Sequence, residues 1–383
     1  MRTEQRQWRR SAGWKPVGVG DPARPVPWRP DLAFAFASRA VLEDPECLRA
    51  LRAELPPSTT VIGCSTAGEI CGTSIQDDTL SVTAVGFDHT RVRLARRSVS
   101  DRAQTRSAAR AVAATLDDED LVSVFVLADG LGVQGSELVA GLTETLGPEV
   151  VVAGGLAADG PYFDETVVLS PNGVENDAIV AVGFYGERLK VGHGSVGGWD
   201  PFGPYRRVTR ASGHTLYELD GKSALALYKK YLGEHAAGLP GAGLYFPLSV
   251  SRTREEPAIV RTVLSTDEHA ESMTFAGEIP EGALAQLMHA NVDRLVDGAL
   301  SAARATQGAG ARTPALGLLV SCVGRRMVLR QRAEEELEAV REVLGPGTAL
   351  SGFYSYGEIG PSAPGAACEL HNQTMTLVTL SEV

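Results

Sequence analysis

An α/β fold of the α+β kind, with two mixed β-sheets flanked by helices and pseudo-symmetric N- and C-terminal halves, is predicted from three features of the sequence. First, a Gly-x4-Gly-Glu-Ile frame occurs at Gly63-Cys64-Ser65-Thr66-Ala67-Gly68-Glu69-Ile70 and again at Gly352-Phe353-Tyr354-Ser355-Tyr356-Gly357-Glu358-Ile359. Second, aligning these copies without gaps superposes Leu55-Pro56-Pro57 on Leu344-Gly345-Pro346, and Leu146-Gly147-Pro148 followed by Gly154 keeps the same spacing. A helix end, a short extended run and a glycine-rich turn therefore recur three times. Third, apolar runs of strand length alternate with helical stripes, the pattern of strand-helix-strand units joined by right-handed crossovers.

The elements follow in order. Asp31 to Ser38 reads as a buried strand, and Asp44 and Pro45 start a helix whose Leu48, Leu51 and Leu55 share a face. Val61 to Cys64 is the next strand, and after the Gly-Glu-Ile turn a third runs from Leu80 to Phe87. The second unit has an alanine-rich helix (Arg102 to Leu116), an apolar strand (Leu121 to Ala128) and a helix from Ser136 to Leu146. Val150 to Ala153 then leads into Gly154-Gly155, and Thr166 to Leu169 and Ile179 to Tyr185 pair around Pro171-Asn172-Gly173. Val191 to Arg210 has no periodicity and reads as a long functional loop bridging the halves. Helix is expected over Leu216 to Leu232, strands over Leu244 to Val250 and Ile259 to Leu264, and the longest helix from Pro280 to Gln307-Gly308. Met273 to Ala276 leads to Gly277-Glu278-Ile279, which is either a degraded fourth copy of the frame or a coincidence. Ala315 to Val323 is a central strand, Glu334 to Leu344 an amphipathic helix, and Thr374 to Leu380 the closing strand.

With 383 residues, 44% hydrophobic and 22% charged, the chain has the composition of a globular protein with a large core. A net charge of -11 disfavours nucleic acid as a partner. Residues 1–30 concentrate Arg2, Arg6, Arg9, Arg10, Lys15, Arg24 and Arg29 among Trp and Pro and read as a flexible basic arm without a core. No apolar h-region follows Arg9-Arg10 and no apolar run is long enough to span a bilayer, so a cytoplasmic location with no membrane partner is expected. The five cysteines are scattered without a Cys-x-x-Cys pair, which argues against a disulfide framework or a structural metal.

The candidate site residues cluster around the repeats. Glycine turns at Gly63, Gly154-Gly155 and Gly352 can present bare N–H groups, although such turns are also ordinary tight turns. Neither nucleotide-binding glycine motif is present. Glu69 and Glu358 hold equivalent positions, and Ser321-Cys322 with Arg325 and Arg326 follows a buried strand. A carboxylate and an arginine fork can together hold a small zwitterion, or can pair with each other. Tyr354 and Tyr356 can stack on a ligand or pack in the core. His193 in Gly-His-Gly-Ser and His371 are candidate haem ligands, otherwise structural. Cys64 and Cys322 are candidate thiol nucleophiles for a cysteine-dependent hydrolase or transferase, but no partnered base is readable and no catalytic residue is assigned.

Taken together, these motifs resemble the FIST family, whose N- and C-terminal modules occur in bacterial signalling proteins and in F-box proteins. The resemblance covers residues from about Asp31 to the end. It is carried by Gly-Cys-Ser-Thr-Ala-Gly-Glu at 63–69, Val-Gly-His-Gly-Ser at 191–195, Gly-Trp-Asp-Pro at 198–201, Leu-Asp-Gly-Lys at 219–222, Ser-Cys-Val-Gly-Arg at 321–325, the 352–359 frame and Leu-His-Asn-Gln-Thr-Met at 370–375. It implies a FIST N-type sensory domain over 31–215 and a FIST C-type domain over 216–383. It also implies binding of a small ligand, an amino acid or similar polar molecule, between them. The expected ligand-facing set is Gly63, Cys64, Ser65, Thr66, Glu69, Gly154, Gly155, Ser321, Cys322, Arg325, Arg326, Gly352, Tyr354, Tyr356, Glu358, His371 and Asn372. Kinase, cyclase or methyl-accepting outputs fused to some relatives are absent from these residues, so a separate output protein or homo-oligomerisation would carry the signal. No cofactor is expected, with haem in a nitric-oxide sensor as the alternative.

Overall fold

The computed structural model describes residues 1–17, 29–256, 258–308, 313–363 and 365–383. Its architecture is mixed α/β of the α+β class, as predicted, with four sheets where two were expected. Three of the four repeat one plan. Each holds a parallel pair joined by a helix: Leu32–Ala37 with Thr60–Ser65, Leu121–Ala128 with Val151–Leu156, and Leu316–Cys322 with Ala349–Ser355. The connecting helices are Pro45–Glu54, Gly135–Thr143 and Ala333–Leu344. A closing strand pairs antiparallel with the first member of each pair: Leu80–Gly86, Ala178–Tyr185 and Met375–Glu382. The three copies seen in the sequence are three structural repeats.

The repeats are interlocked. After its second parallel strand each chain segment forms a hairpin that joins another repeat's sheet. Glu69–Cys71 adds to the third repeat with Ile70 opposite Gly352, Gly357–Pro361 adds to the second with Ile359 opposite Gly154, and Val168–Ser170 adds to the first with Leu169 opposite Gly63. The exchange closes a three-membered cycle. The position 215/216 falls inside the strand Thr215–Leu219, and the segments before and after it complete each other's sheets.

Sequence alternation explains how the layers stack. Leu32, Phe34 and Phe36 face inward to a core shared with Phe125, Leu127, Leu318, Val320 and Phe353 of the other sheets. Ala33, Ala35 and Ala37 face outward, where their small size admits the helix bearing Cys47 and Leu51. Phe36 and Phe353 lie with ring centroids 4.8 Å apart, and Phe34 meets Phe125 edge-on at 5.4 Å. Each buried ring of this kind contributes about 1.5–3 kcal/mol.

Other differences from expectation have local causes. Arg2–Arg9 and Gly13–Val17 form a hairpin paired to Leu80–Gly86, so 2–17 is not a free arm; Trp8 is buried against that sheet. The remainder of the expected arm, 18–28, lies outside the described residues. The expected loop 191–210 is two strands, Leu189–Val196 and Asp200–Ser212, in which Gly192 and Gly194 abut the backbone of the helix Val292–Ala305 and of Thr306. Helical spacing misled at 216–223 and 284–289, which form the strands Thr215–Leu219, Lys222–Ser223 and Leu284–His289; the helices are confined to Ala224–Leu232 and Val292–Ala305. The predicted pairing around Pro171 holds only for Val168–Ser170 with Gly173–Glu175, while Ala178–Tyr185 belongs to a different sheet. Residues 200–291 form the fourth sheet, inserted into the third repeat around its own core of Leu216, Tyr228, Leu248 and Phe275. Gly277-Glu278-Ile279 lies there, outside any strand-helix-strand unit, and is not a fourth copy.

Candidate functional site

The glycines that drew attention are strand residues and not turns. Gly63, Gly154 and Gly352 stand opposite Ala35, Val126 and Leu319 in the parallel ladders, and a Cβ on any of them would overlap that neighbour's carbonyl oxygen. Glycine is required there for close strand approach, and Gly154 also has φ of 148°. Gly155 faces Val320 and Phe353, leaving no room for a side chain.

The strand ends do converge. Ala67 N–H donates to the Tyr354 carbonyl, Ala158 N–H to that of Ser65 and Tyr356 N–H to that of Leu156, so all three repeats meet. What fills the junction is protein. Cys64 is buried in the shared core, and Ser65 Oγ accepts from Val167 N–H at 3.0 Å. Glu69 and Glu358 are buried equivalents: Glu69 accepts from Thr66 Oγ1 (2.7 Å) and from Thr79 N–H and Oγ1 (3.3 and 3.0 Å), while Glu358 accepts from Ser355 Oγ (2.8 Å) and from Thr374 N–H and Oγ1 (3.1 and 3.0 Å). Burial raises each carboxyl to about 8 against the pull of these donors.

The expected arginine fork is committed internally. Arg325 and Glu336 are fully buried and paired at 2.8 Å; Arg325 also donates to carbonyls of Leu295, Gly197 and Gln373, while Glu336 accepts from Ser321 Oγ (3.0 Å) and Tyr354 OH (2.7 Å). Arg326 grips Asp77 through two bonds of 2.7 Å and reaches the Ala67 carbonyl. Ser321, Arg325, Arg326 and Tyr354 are thus each bonded within the chain itself. Tyr356 OH meets Asp159 and is capped by the ring of Phe163, stacked at 4.3 Å. Glu336 escaped the sequence reading although its signal was legible: a carboxylate at a stripe position shared with Ala333, Leu337, Val340 and Leu344.

The thiols and imidazoles do not match the alternatives. Burial pushes Cys64 and Cys322 well up, the opposite of nucleophile activation. His371 Nε2 donates to the Gly360 carbonyl at 2.8 Å, and burial lowers the ring to about 4. His193 is half-buried, bonded to the backbone of Pro361, with Nδ1 lacking a partner. A haem ligand needs an open face at the nitrogen that binds iron. These two rings sit against strand backbone, so the residues do not fit haem.

Unsatisfied polarity lies instead at the turn after His371. Gln373 adopts φ of 63°, Asn372 is 1% and Gln373 0% exposed, and Asn372 Oδ1 and Gln373 Oε1 have no hydrogen-bond partner. Buried amide oxygens without partners are costly and uncommon. The turn is wedged at the seam between core and inserted sheet: Trp199 Nε1 donates to the Gln373 carbonyl (2.8 Å), Gly324 abuts the Gln373 amide, and Gln373 Nε2 approaches the Leu244 carbonyl (3.5 Å). A cavity of about 40 Å³ lies elsewhere, beside Arg6, Trp14, Glu54 and Val82.

Comparison with known proteins agrees with this architecture. The FIST N domain model matches residues 31–222 and the FIST C domain model residues 224–361. An uncharacterized protein of Methanocaldococcus jannaschii is 30% identical over 198 residues, 47% of this chain and 36% of the relative. Uncharacterized proteins of Mycobacterium bovis and Mycobacterium tuberculosis are each 29% identical over 228 residues, 56% of this chain and 57% of the relative. The aligned part thus spans about a third to just over half of these relatives' own lengths. FIST domains are sensory domains of signal transduction. The chain belongs to the FIST family. Among the described residues no helix is long and apolar enough to cross a membrane.

Proposed function

We propose that this chain is a small-ligand sensor that takes up an amino acid or similarly small polar molecule at the seam beside Asn372 and Gln373, and passes occupancy to a separate partner protein. The observation that carries this reading is the pair of buried amide oxygens without partners, placed where the inserted sheet meets the interlocked core. A ligand bearing N–H donors would satisfy them, which shifts the binding region from the packed strand ends to the 370–375 motif. Of the ligand-facing residues expected from the sequence, Asn372 lies in it, with His371 next to it in the chain and Cys322 close in space, its N–H donating to the Thr374 carbonyl at 3.1 Å. Contacts from the inserted segment, such as the carbonyl of Leu244 in the helical turn Gly241–Tyr245 on Gln373, provide a route by which occupancy can change the position of that segment.

The test is a thermal-shift and calorimetric screen of the whole chain against amino acids and small organic acids. A ligand selective for the folded state raises the melting temperature by mass action. Asn372→Ala and Gln373→Ala are expected to lose the shift while remaining folded. A complete screen without any shift would sink the reading.

A further inference from the structure

Among the described residues Arg261 is a buried arginine without an ion pair. It is 7% exposed, and its bonds run to carbonyls only: Nε to Glu278 (3.2 Å), Nη1 to Val260 (3.4 Å) and Nη1 to Leu370 (3.0 Å). Nη2 makes no hydrogen bond among the described residues. Glu369 and Glu278 act on it only from beyond ion-pair distance, and burial lowers the guanidinium to about 10. Arg325 shows what this fold does with a buried arginine that is purely structural, namely seat it on a carboxylate. Buried charges are ordinarily paired, so a guanidinium left with carbonyls is short of an anion.

Its surroundings add a hydroxyl donor and an acceptor without partners. Thr262, the next residue, is 5% exposed with its hydroxyl unbonded, and Asn372 Oδ1, an acceptor, lies two residues beyond the Leu370 carbonyl that Arg261 touches. Arg261 and Thr262 come from the inserted sheet, and Asn372 from the interlocked core. We propose that Arg261 is the anchor for a small carboxylate held at this seam, with the Thr262 hydroxyl donating to that carboxylate and Asn372 Oδ1 accepting from a hydroxyl or ammonium group elsewhere on the same ligand. The inference rests on the reading of the chain as a small-ligand sensor and names the ligand's chemical class. A guanidinium donates charge-assisted hydrogen bonds to a carboxylate, and Nη2 is the nitrogen left free to make them. An anion held by groups of both parts ties the position of the inserted sheet to that of the core.

The probes are acetate, lactate and succinate, each compared with its amide at equal ionic strength, on the whole chain. The acids are expected to raise the melting temperature and the amides not. Arg261→Met should weaken acid binding by about 10- to 100-fold, and should melt no lower than the native chain without ligand because it removes an unpaired buried charge. Thr262→Val, which keeps the charge, should weaken acid binding by roughly fivefold. Equal shifts from acids and amides, undiminished acid binding by Arg261→Met, or failure of that variant to fold would each overturn the assignment. Binding of a neutral probe that Gln373→Ala abolishes and Arg261→Met preserves would overturn it while leaving the sensor reading intact. Absence of binding by every probe, the amino acids included, overturns both.

Discussion

Arg325 and Glu336 form an ion pair from which solvent is excluded, with Nη2 2.8 Å from Oε2 and both side chains at 0% exposure. Ser321 and Tyr354 also donate to Glu336, so one carboxylate ties a helix to two neighbouring strands of the third repeat. Removing either partner strands a buried charge, at a cost of about 3–5 kcal/mol. Glu336→Ala and Arg325→Ala are each expected to lose that much in chemical denaturation. A loss under about 1 kcal/mol would show that the charges had found water.

The strand glycines make a sharper claim. At Gly352 an added Cβ would overlap the Leu319 backbone, which a side-chain rotation cannot relieve. Gly352→Ala is expected to cost at least about 3 kcal/mol through overpacking, and Gly63→Ala and Gly154→Ala should behave alike. Gly147→Ala is the control: it has open space around it and should change stability by less than about 0.5 kcal/mol. Equal effects at Gly147 and Gly352 would contradict the strand placement.

The equivalent carboxyls predict a pH dependence. Burial raises Glu69 and Glu358 to about 8, whereas in the unfolded chain they titrate near the ordinary glutamate value of roughly 4.3. Across that window the folded chain holds protons that the unfolded chain has lost. Their contribution is therefore fully present below the unfolded value and falls as pH rises through about 8. Glu382 has the opposite sign. Burial opposes its charge, but bonds from the Asp88 and His89 amides and the Thr90 hydroxyl outweigh it and lower the carboxyl to about 2, so its contribution is lost as pH falls toward that value. Melting temperature against pH should therefore peak on the acid side of neutrality. The double variant Glu69→Gln, Glu358→Gln should flatten the limb between roughly pH 4.3 and 8; an unchanged slope would remove these carboxyls from the account.

The hairpin exchange predicts that the FIST N and C segments do not fold separately. A chain ending after residue 196 lacks Gly357–Pro361 for its second sheet and leaves both Glu69–Cys71 and Leu189–Val196 without their partner strands. Such a fragment should show poor amide dispersion and rapid proteolysis, and should recover when the complementary fragment is co-expressed. A well-dispersed spectrum from the fragment alone would refute the interlock.

The repeat itself was legible because its cause is local. A glycine six residues after the proline that ends each helix is the residue that close strand pairing demands, so spacing alone located Gly63, Gly154 and Gly352. The parallel pairs and the helices Pro45–Glu54, Thr105–Leu116, Gly135–Thr143 and Ala333–Leu344 likewise follow from apolar periodicity within single segments. Periodicity failed at Leu284–His289, where strand pairing to Asp200–Ser212 and Leu248–Ser251 overrode a helical spacing.

By itself the sequence determined the class of fold, the threefold repeat and the family motifs, all of which depend on neighbours a few residues apart. Only the tertiary structure decided where each hairpin went and which charged group found a partner. Glu336 and Arg325 lie on adjacent helices, yet Arg261 reaches the 370–372 segment from a sheet inserted far upstream. Pairing of buried charge is set by distance through space, and a linear reading of residue types carries no measure of that distance.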